Sequence, residues 1–482
     1  MTVVVEGLED VTLDALRRVA FSRELARFSD DALARIAEAH NSFARYVAAH
    51  QDEFIYGITS GLGPEASKRR SLAETQMRRS RPIHWEGIAF GGAPLPEHVS
   101  RGAVFAAFAS IASGHAAVHP DVALAVASLL DGDLPSLPSL GLTAAGELMP
   151  NSILMPLLPP DERVSAGWGF DTQAAMAGIA ALVSRRRLRL AEHVFALCID
   201  AFQAPLDAYD TALVSAWIDP HEGEALVALA FLLERADDDR RPFQAPVSYR
   251  ILPRLIGQAH RAIEALEEIA TIALRADNSN PTYLLPTDEH PSGRALSNGG
   301  FHHASATPAL DAVGASWANL GILAHHFAVT MHRGDISLLP DRLFAEGEDV
   351  VSGRSTSYLE YVPSGAVDEM RRLAHATLLP LGVGASQQDD IGITTPEAFL
   401  TERRIGECFD LTLAVLAVVA SQALHVTGRA GPPALRGFLG SIRTAFPPVK
   451  TPRRIGVECA ALTETFSAAI GFGDTPFTDV FA

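Results

Sequence analysis

Three kinds of side chain in this sequence could bind a small anion or transfer protons to and from it. Each lies in a segment that contains glycine or proline. Tyr56 opens a glycine-rich loop over residues 56–64. A phenol acts as a base only where positive charge or hydrogen bonds favour the phenolate. Arg250 offers a planar fork that matches a carboxylate. His302 and His303 belong to the residue type that changes charge near neutral pH. Together these positions predict acid–base chemistry on an anionic substrate.

Residues 142–150 read Leu-Thr-Ala-Ala-Gly-Glu-Leu-Met-Pro. They resemble the Thr/Gly-Ala-Ser-Gly-Asp-Leu-x-Pro signature of the aromatic amino acid ammonia-lyases and aminomutases. In that family the Ala-Ser-Gly backbone cyclises and loses water, including the serine hydroxyl, which leaves the electrophile methylidene-imidazolone. The flanking match places Ala144, Ala145 and Gly146 at the triad positions. Because the methyl group of Ala145 has no hydroxyl to lose, the resemblance implies that this cofactor is absent.

Two further segments resemble motifs of the same family but lack a functional side chain. Residues 169–174, Gly-Phe-Asp-Thr-Gln-Ala, resemble Leu-Asn-Gly-Thr-Gln-Ala, so Phe170 replaces an asparagine that bonds the cofactor carbonyl. Residues 244–250, Gln-Ala-Pro-Val-Ser-Tyr-Arg, resemble Gln-Asp-Pro-Tyr-Ser-x-Arg. Val247 there replaces a tyrosine that assists elimination. Gln244 and Arg250 are kept, and the resemblance implies that Arg250 pairs with a substrate carboxylate.

Three more segments complete the resemblance. Residues 56–63 resemble Tyr-Gly-x-Asn-Thr-Gly-Phe-Gly, in which the tyrosine is a base on a mobile lid. Residues 297–303, Ser-Asn-Gly-Gly-Phe-His-His, resemble Ser-Gly-Gly-Asn-Phe-His-Gly. Gly300 takes the place of a substrate-side asparagine, and Asn298 could fill the same space. Residues 387–391 resemble Gln-Glu-Asp-His-Val, where Gln388 can hydrogen-bond but cannot take a proton as the glutamate does.

The departures from the family pattern occur together, on the cofactor side and on the substrate side, while Tyr56 and Arg250 remain. This pattern favours an enzyme on the ammonia-lyase scaffold that performs elimination, conjugate addition, cyclisation or isomerisation without the electrophile. An ammonium group is then a poor leaving group. We therefore expect a small carboxylate-bearing or carrier-bound substrate with an activated proton, in secondary metabolism.

Two alternatives stay open at this level. One is a true aromatic amino acid ammonia-lyase or 2,3-aminomutase with an altered triad. The other is a non-catalytic homologue that binds a small molecule or a partner subunit. Within the first hypothesis, His302 and His303 are equal candidates for the acid or base.

Composition excludes several other classes of function. The formal charge of −18 opposes binding to nucleic acid phosphates. The three cysteines are too widely spaced for a disulfide framework, and the sequence shows no metal-ligand spacing. The N-terminus has no basic segment followed by an apolar run, so we expect a cytoplasmic protein. The apolar segment 411–426 is shorter than the roughly 20 residues of a membrane span, which predicts a buried helix and no membrane partner.

Apolar residues at helical spacing predict helices over 172–201, 222–235, 255–276, 307–331, 367–378 and 401–427. They predict a mainly α fold built as a long-helix bundle. The resemblance implies the ammonia-lyase (fumarase/aspartase-like) type, with a smaller N-terminal region that bears the loops. We expect an N-terminal domain over 1–200, with the lid loop 56–64 and the degenerate triad 144–146, and a helical domain over 201–482. The resemblance also implies a homotetramer whose active sites each draw residues from three chains.

Overall fold

The structure, a computed structural model, describes residues 2–79, 88, 91–159, 168–345, 354–384 and 387–481. The chain is mainly helical, which confirms the predicted fold class. Among these residues the α-helices, in chain order, are α1 (Leu13–Ala20), α2 (Asp30–Ala49), α3 (Leu72–Arg79), α4 (Glu97–Ala112), α5 (Pro120–Ser128), α6 (Leu148–Leu154), α7 (Thr172–Ala201), α8 (Leu213–Trp217), α9 (Pro220–Leu232), α10 (Val247–Arg250), α11 (Leu252–Arg275), α12 (Ala306–Met331), α13 (Gly334–Ser337), α14 (Val362–Leu373), α15 (Thr395–Val426), α16 (Arg436–Ala445) and α17 (Ile455–Ile470). The strands are β1 (Thr2–Val5), β2 (Leu25–Phe28), β3 (Thr282–Leu284), β4 (Arg294–Leu296), β5 (Leu381–Gly384) and β6 (Asp389–Ile391).

The first of two compact units comprises Met1–Leu182, Leu266–Leu310 and Ala376–Leu400. α4 lies in its core, because every residue from Val99 to Ala112 is buried. Three short strand pairs belong to this unit: β1 pairs with β2 in parallel, β3 with β4 and β5 with β6 in antiparallel. These elements carry the loops and turns on which most of the predicted site residues stand.

The second unit comprises Val183–Ala265, Asp311–His375 and Thr401–Ala482. Its core contains stacked aromatic rings, since Tyr249 lies 4.1 Å from Phe202 and 3.9 Å from Phe327 between ring centroids. It also contains a buried ion pair between Arg187 on α7 and Asp410 on α15. Apolar packing on this scale supplies the main favourable term in folding.

The two units do not follow the division expected at residue 200. Four of their five boundaries fall inside α7, α11, α12 and α15, and each unit is built from three separate stretches of chain. α7 alone has 30 residues, which corresponds to about 45 Å of helix. A single cut in the sequence cannot describe units that share helices of this length.

α15 is longer than the apolar segment 411–426 from which the sequence predicted it. It has 32 residues and a mean hydropathy of 1.7 in its most apolar window, so alone among the described helices it could cross a membrane by length and composition. However, 83% of that window is buried within the chain. Core helices of soluble proteins have the same length and composition, and this burial agrees with the predicted buried helix.

Candidate active site

The loop that carries Tyr56 packs against an apolar cluster and contains a hydrogen bond between two of its own residues. Ile55 and Ile58 are buried in an apolar cluster that includes Tyr283. The Gly63 N–H donates to the Tyr56 hydroxyl oxygen at 2.9 Å. Tyr56 itself is half-buried. The loop therefore holds the phenol oxygen as a hydrogen-bond acceptor between its two ends.

The degenerate triad forms an accessible turn. Ala144 and Ala145 are half-buried and Gly146 is exposed. Gly146 has φ +65° and Glu147 has φ +54°, so two consecutive residues lie in the left-handed region that glycine tolerates best. A Cβ at Gly146 would meet no atom of the described residues within 4 Å. At Gly146 the turn is therefore not packed against the part of the chain that the structure describes.

A neighbouring segment supports this turn from the other side. The Ile393 N–H donates to the Thr143 carbonyl at 2.9 Å. A Cβ on Gly392 would lie 2.4 Å from the same carbonyl oxygen, so the close approach requires glycine there. The Nε2 atom of His302 lies 3.2 Å from the Gly392 carbonyl oxygen and donates to it as an N–H. His302 therefore contacts the segment that supports the triad turn.

Phe170 fills an apolar position behind the turn. Its side chain is fully buried, and its ring lies 5.3 Å from the ring of Trp168 between centroids. Its backbone N–H donates to Asn151 Oδ1 at 2.9 Å, while Asn151 Nδ2 donates to the Glu147 carbonyl at 3.0 Å. The position that the resemblance assigns to an asparagine thus holds a ring without a hydrogen-bonding group.

Glu147 directly follows the triad, and its buried carboxylate reaches the first turn of α7. Oε2 accepts the Thr172 N–H at 2.6 Å, and Oε1 accepts the backbone N–H and the Nε2 of Gln173, both at 2.9 Å. Unpaired N–H groups at a helix N-terminus bind anions well. Burial, with the nearby Asp171 carboxylate, nevertheless raises the pKa of Glu147 to about 7, and the three donated bonds offset this only in part.

Asp171 and His303 form a buried pair at the same helix end. Asp171 Oδ1 accepts the Ala174 N–H at 2.9 Å and so caps α7. Asp171 Oδ2 lies 2.8 Å from His303 Nε2, and the two side chains are 4% and 8% exposed. Burial lowers the pKa of His303, but the charge and hydrogen bond of Asp171, with the charge of Glu147, outweigh it and raise the pKa above its ordinary value.

Hydrogen bonds fix the segment that bears both histidines. Gln173 Nε2 donates to the Phe301 carbonyl at 2.7 Å, and Thr395 Oγ1 donates to the His303 carbonyl at 3.2 Å. The turn, the start of α7, the 301–303 segment and the start of α15 therefore meet in one cluster. We call this the α7 cluster, defined by Glu147, Asp171, Gln173, His302 and His303.

The other predicted residues of the first unit lie outside this cluster. Asn298 is exposed, and its Nδ2 donates to Thr282 Oγ1 at 2.9 Å while its Oδ1 accepts the Gly300 N–H at 2.6 Å. The Asn298 amide is thus bonded within its own loop. Gln388 is exposed in the turn between β5 and β6.

Arg250, Gln244 and Val247 belong to the second unit, whereas the other predicted site residues belong to the first. Arg250 Nε donates to the Ala245 carbonyl at 3.0 Å. Arg250 and Gln244 line a cavity of about 230 Å³, together with the buried Arg241. Val247, at the start of α10, is 58% exposed. The lining also includes the Asp207 carboxylate, so the two guanidinium groups leave a net positive charge that suits a small anion.

Sequence reasoning missed Glu147, Asp171 and Gln173. One signal was present in the sequence, because the motifs that these segments resemble have glycine where this chain has Asp171 and His303. Over the described part of the chain, no group of His, Cys, Asp or Glu side chains is arranged to hold a metal ion.

The fold and the site define a mainly helical protein with an acid–base cluster beside a glycine-containing turn. A sequence model of the family described as aromatic amino acid lyase matches residues 11–167 and 158–444. The chain therefore belongs to the aromatic amino acid lyase family, as the motifs predicted.

Individual relatives agree with this assignment. The chain is 27% identical to the histidine ammonia-lyase of Aromatoleum aromaticum, over 95% of this chain and 92% of that protein. It is 25% identical to the "MIO-dependent tyrosine 2,3-aminomutase" of Streptomyces globisporus, over 96% of this chain and 95% of that protein. The crystal structure of tyrosine aminomutase from the same organism has a TM-score of 0.83 at 19% identity and covers 98% of both chains. Histidine ammonia-lyase from Trypanosoma cruzi has a TM-score of 0.80 at 18% identity, over 100% of this chain and 95% of that chain. At these identities the structural likeness shows the fold.

Proposed function

We propose that this protein is a lyase or isomerase/cyclase that works without methylidene-imidazolone. Its reaction would be an elimination, conjugate addition, cyclisation or isomerisation driven by proton transfer. The substrate would be a small carboxylate-bearing or carrier-bound molecule of secondary metabolism. The observation that carries the proposal is Ala145, which the motif resemblance aligns with the serine of the family triad.

The residues around the turn do not fit the family electrophile. Ala145 has no hydroxyl that could leave as water. Phe170 presents a fully buried ring where the family asparagine would bond the cofactor carbonyl. No step of the proposed reaction therefore passes through that group.

The missing electrophile restricts the substrate. An ammonium leaves slowly from a weakly acidic position, so the substrate must carry a proton next to a carbonyl or thioester, or a better leaving group. Tyr56 and the histidines His302 and His303 would transfer protons, and a positioned acid or base contributes roughly 10²- to 10⁴-fold in rate. The substrate-binding residues in this proposal are Arg250, Gln244, Phe170, Val247, Asn298 and Gln388.

A homotetramer and a cytoplasmic location are part of the proposal. The family resemblance implies active sites built from three chains. On that basis Arg250 of one chain would hold the anion, while the acid–base residues of another would reach its reacting carbon. Neither nucleic acid nor a membrane is a partner in this proposal.

The names of the relatives favour a second candidate, a true ammonia-lyase or 2,3-aminomutase with an altered triad. The two candidates predict different masses for the peptide that contains residues 144–146. If the first is correct, mass spectrometry of the native protein gives the full mass of Ala-Ala-Gly. If the second is correct, the peptide is lighter by the water lost in cyclisation and by the two hydrogens that an oxidant must remove from Ala145 to form the methylidene. The tyrosine aminomutase of Streptomyces globisporus, which is described as MIO-dependent, is the positive control.

Turnover separates the proposed enzyme from a non-catalytic homologue. Aryl-substituted β-keto acids and arylpropionyl thioesters, incubated with the protein in D₂O, should exchange the proton next to the carbonyl, as followed by ¹H NMR. Exchange together with a full-mass peptide supports the proposal. A full-mass peptide without exchange on either class contradicts it and favours the non-catalytic homologue.

A further inference from the structure

The start of α7 holds two carboxylates and one imidazole within a buried space. Asp171 uses one oxygen to cap the helix and the other to accept from His303 at 2.8 Å. Glu147 accepts three N–H groups of the same helix turn. Buried carboxylates favour a positive charge beside them. His303 bonds one of them, so the charge that it gains on accepting a proton is stabilised there.

The pair between Asp171 and His303 joins two distant segments of the chain. The two residues are 132 positions apart in sequence, and their side chains lie 2.8 Å from each other. The fold therefore brings a carboxylate and an imidazole together at the start of α7.

Unsatisfied polar atoms lie in the same helix turn. Thr172 Oγ1 and Gln173 Oε1 are buried, and neither has a hydrogen-bond partner among the described residues. A buried acceptor without a donor costs about 1–3 kcal/mol. A bound molecule that donates a hydrogen bond would remove this cost, so these atoms indicate a ligand at the start of α7.

The hydrogen bond to Asp171 determines which nitrogen of His303 can exchange protons. Nε2–H donates to Asp171, so Nδ1 carries the lone pair in the neutral ring. No described residue bonds Nδ1, whereas the Nε2 of His302 is bonded to a backbone carbonyl and has no carboxylate partner. An imidazole that a carboxylate holds through one nitrogen, and whose other nitrogen is bonded by no described residue, is suited to accept and return a proton.

We propose that His303 is a catalytic acid–base residue of this enzyme and that Asp171 is its positioning residue. The inference rests on the proposed function, because it assumes a substrate with an acidic C–H bond. The proton moves from that carbon to His303 Nδ1, and the electron pair of the C–H bond stays on the substrate as an enolate. The Nδ1–H then returns the proton to carbon or to the leaving group, which restores the neutral ring.

Carbethoxylation of the native full-length protein tests this assignment without a substrate. Diethyl pyrocarbonate modifies an accessible imidazole in its neutral form and not in its protonated form, and peptide sequencing by mass spectrometry separates His303 from His302. The rate at His303 should rise with pH through a midpoint above that of the same peptide unfolded in urea. At pH 7, Asp171→Asn should speed the reaction at least about threefold, because removal of the charge favours the neutral ring.

A matched control is available in the second unit. Glu192 lies 2.8 Å from the buried His260, so Glu192→Gln removes an equivalent carboxylate from another histidine and should leave His303 unchanged. The inference is wrong if His303 of the wild type does not react in the native protein, or if its midpoint matches that of the unfolded peptide. The wild-type result decides the question even if Asp171→Asn does not fold. A cyclised triad with a reactive His303 would overturn the proposed function alone, whereas substrate exchange with an unreactive His303 would overturn this inference alone.

Discussion

Glu147 and Gln173 are joined by two hydrogen bonds of 2.9 Å, from the backbone N–H and the side-chain amide of Gln173 to one carboxylate oxygen. Because Glu147 directly follows Gly146, this contact ties the degenerate triad to the first turn of α7. The side chain of Glu147 is only 4% exposed. Its charge state therefore affects the stability of the turn itself.

The first prediction concerns the pH dependence of stability. Burial and Asp171 raise the pKa of Glu147 from 4.5 to about 7 in the folded protein, so the folded state binds the proton more tightly than the unfolded state. The stability from this group is present below pH 4.5 and is lost as pH rises toward 7, by up to about 3 kcal/mol. Glu147→Gln does not titrate and should flatten the decrease in melting temperature between pH 5 and 8. Parallel curves for the two proteins would contradict the prediction.

The second prediction concerns the loop hydroxyl. Tyr56→Phe removes the acceptor of the Gly63 N–H and the proposed proton-transfer group. We expect turnover of an exchanging substrate to fall at least about a hundredfold, with little change in melting temperature. Tyr361→Phe, at a side chain that is 67% exposed, is the control and should keep full activity. If Tyr56→Phe retains wild-type turnover, Tyr56 has no part in the chemistry.

The sequence predicted the helices better than the contacts at the site. α7 begins and ends where it was predicted, over 172–201, because apolar periodicity and a capping Asp171 are local signals. α14 ends at Leu373 rather than at residue 378, and α15 begins at Thr395 rather than at residue 401. Helix ends depend on capping and tertiary packing, which periodicity does not report.

Motifs identified single site residues but not their partners. Ala145 and Phe170 were found because flanking residues fix their alignment. The contact between Glu147 and Gln173 joins positions 26 apart, and the pair of Asp171 and His303 spans far more of the chain. Such pairs depend on how separate segments pack, so a single sequence shows the residues without showing that they meet.

The third prediction concerns anion binding. Arg250 lines the cavity in the second unit and keeps only its Nε bonded to a backbone carbonyl among the contacts described. Arg250→Lys keeps the charge but loses the planar fork. We expect KM for a carboxylate substrate to rise at least about tenfold, with a smaller change in kcat, since a lost charge-assisted hydrogen bond costs roughly 1.5–3 kcal/mol. Arg235→Lys, at an arginine whose side chain is 82% exposed, should leave KM unchanged. An unchanged KM in Arg250→Lys would exclude this cavity as the carboxylate site.

The fourth prediction compares a buried and an exposed ion pair of the second unit. Arg187 Nε lies 2.8 Å from Asp410 Oδ1, with side chains 5% and 1% exposed, and Glu402 lies 3.6 Å from Arg187 Nη1. Asp410→Asn would leave the buried Arg187 guanidinium without its nearest carboxylate, and we expect the free energy of unfolding to fall by about 3 kcal/mol. Glu369→Gln breaks the ion pair with the half-exposed Arg404, and we expect it to lower the free energy of unfolding by less than about 1 kcal/mol.

Thermal unfolding of both variants at one protein concentration measures the difference, because stability of an oligomer depends on concentration. A much larger decrease in melting temperature for Asp410→Asn is the expected result. Equal decreases would show that solvent or another group compensates Arg187. The pH midpoint for carbethoxylation of His303 should be the same in both variants. Asp410 and Glu369 belong to the second unit, whereas the charges that raise the pKa of His303 are those of Asp171 and Glu147. A shifted midpoint in Asp410→Asn would instead show that the two units are coupled through α7 or α15.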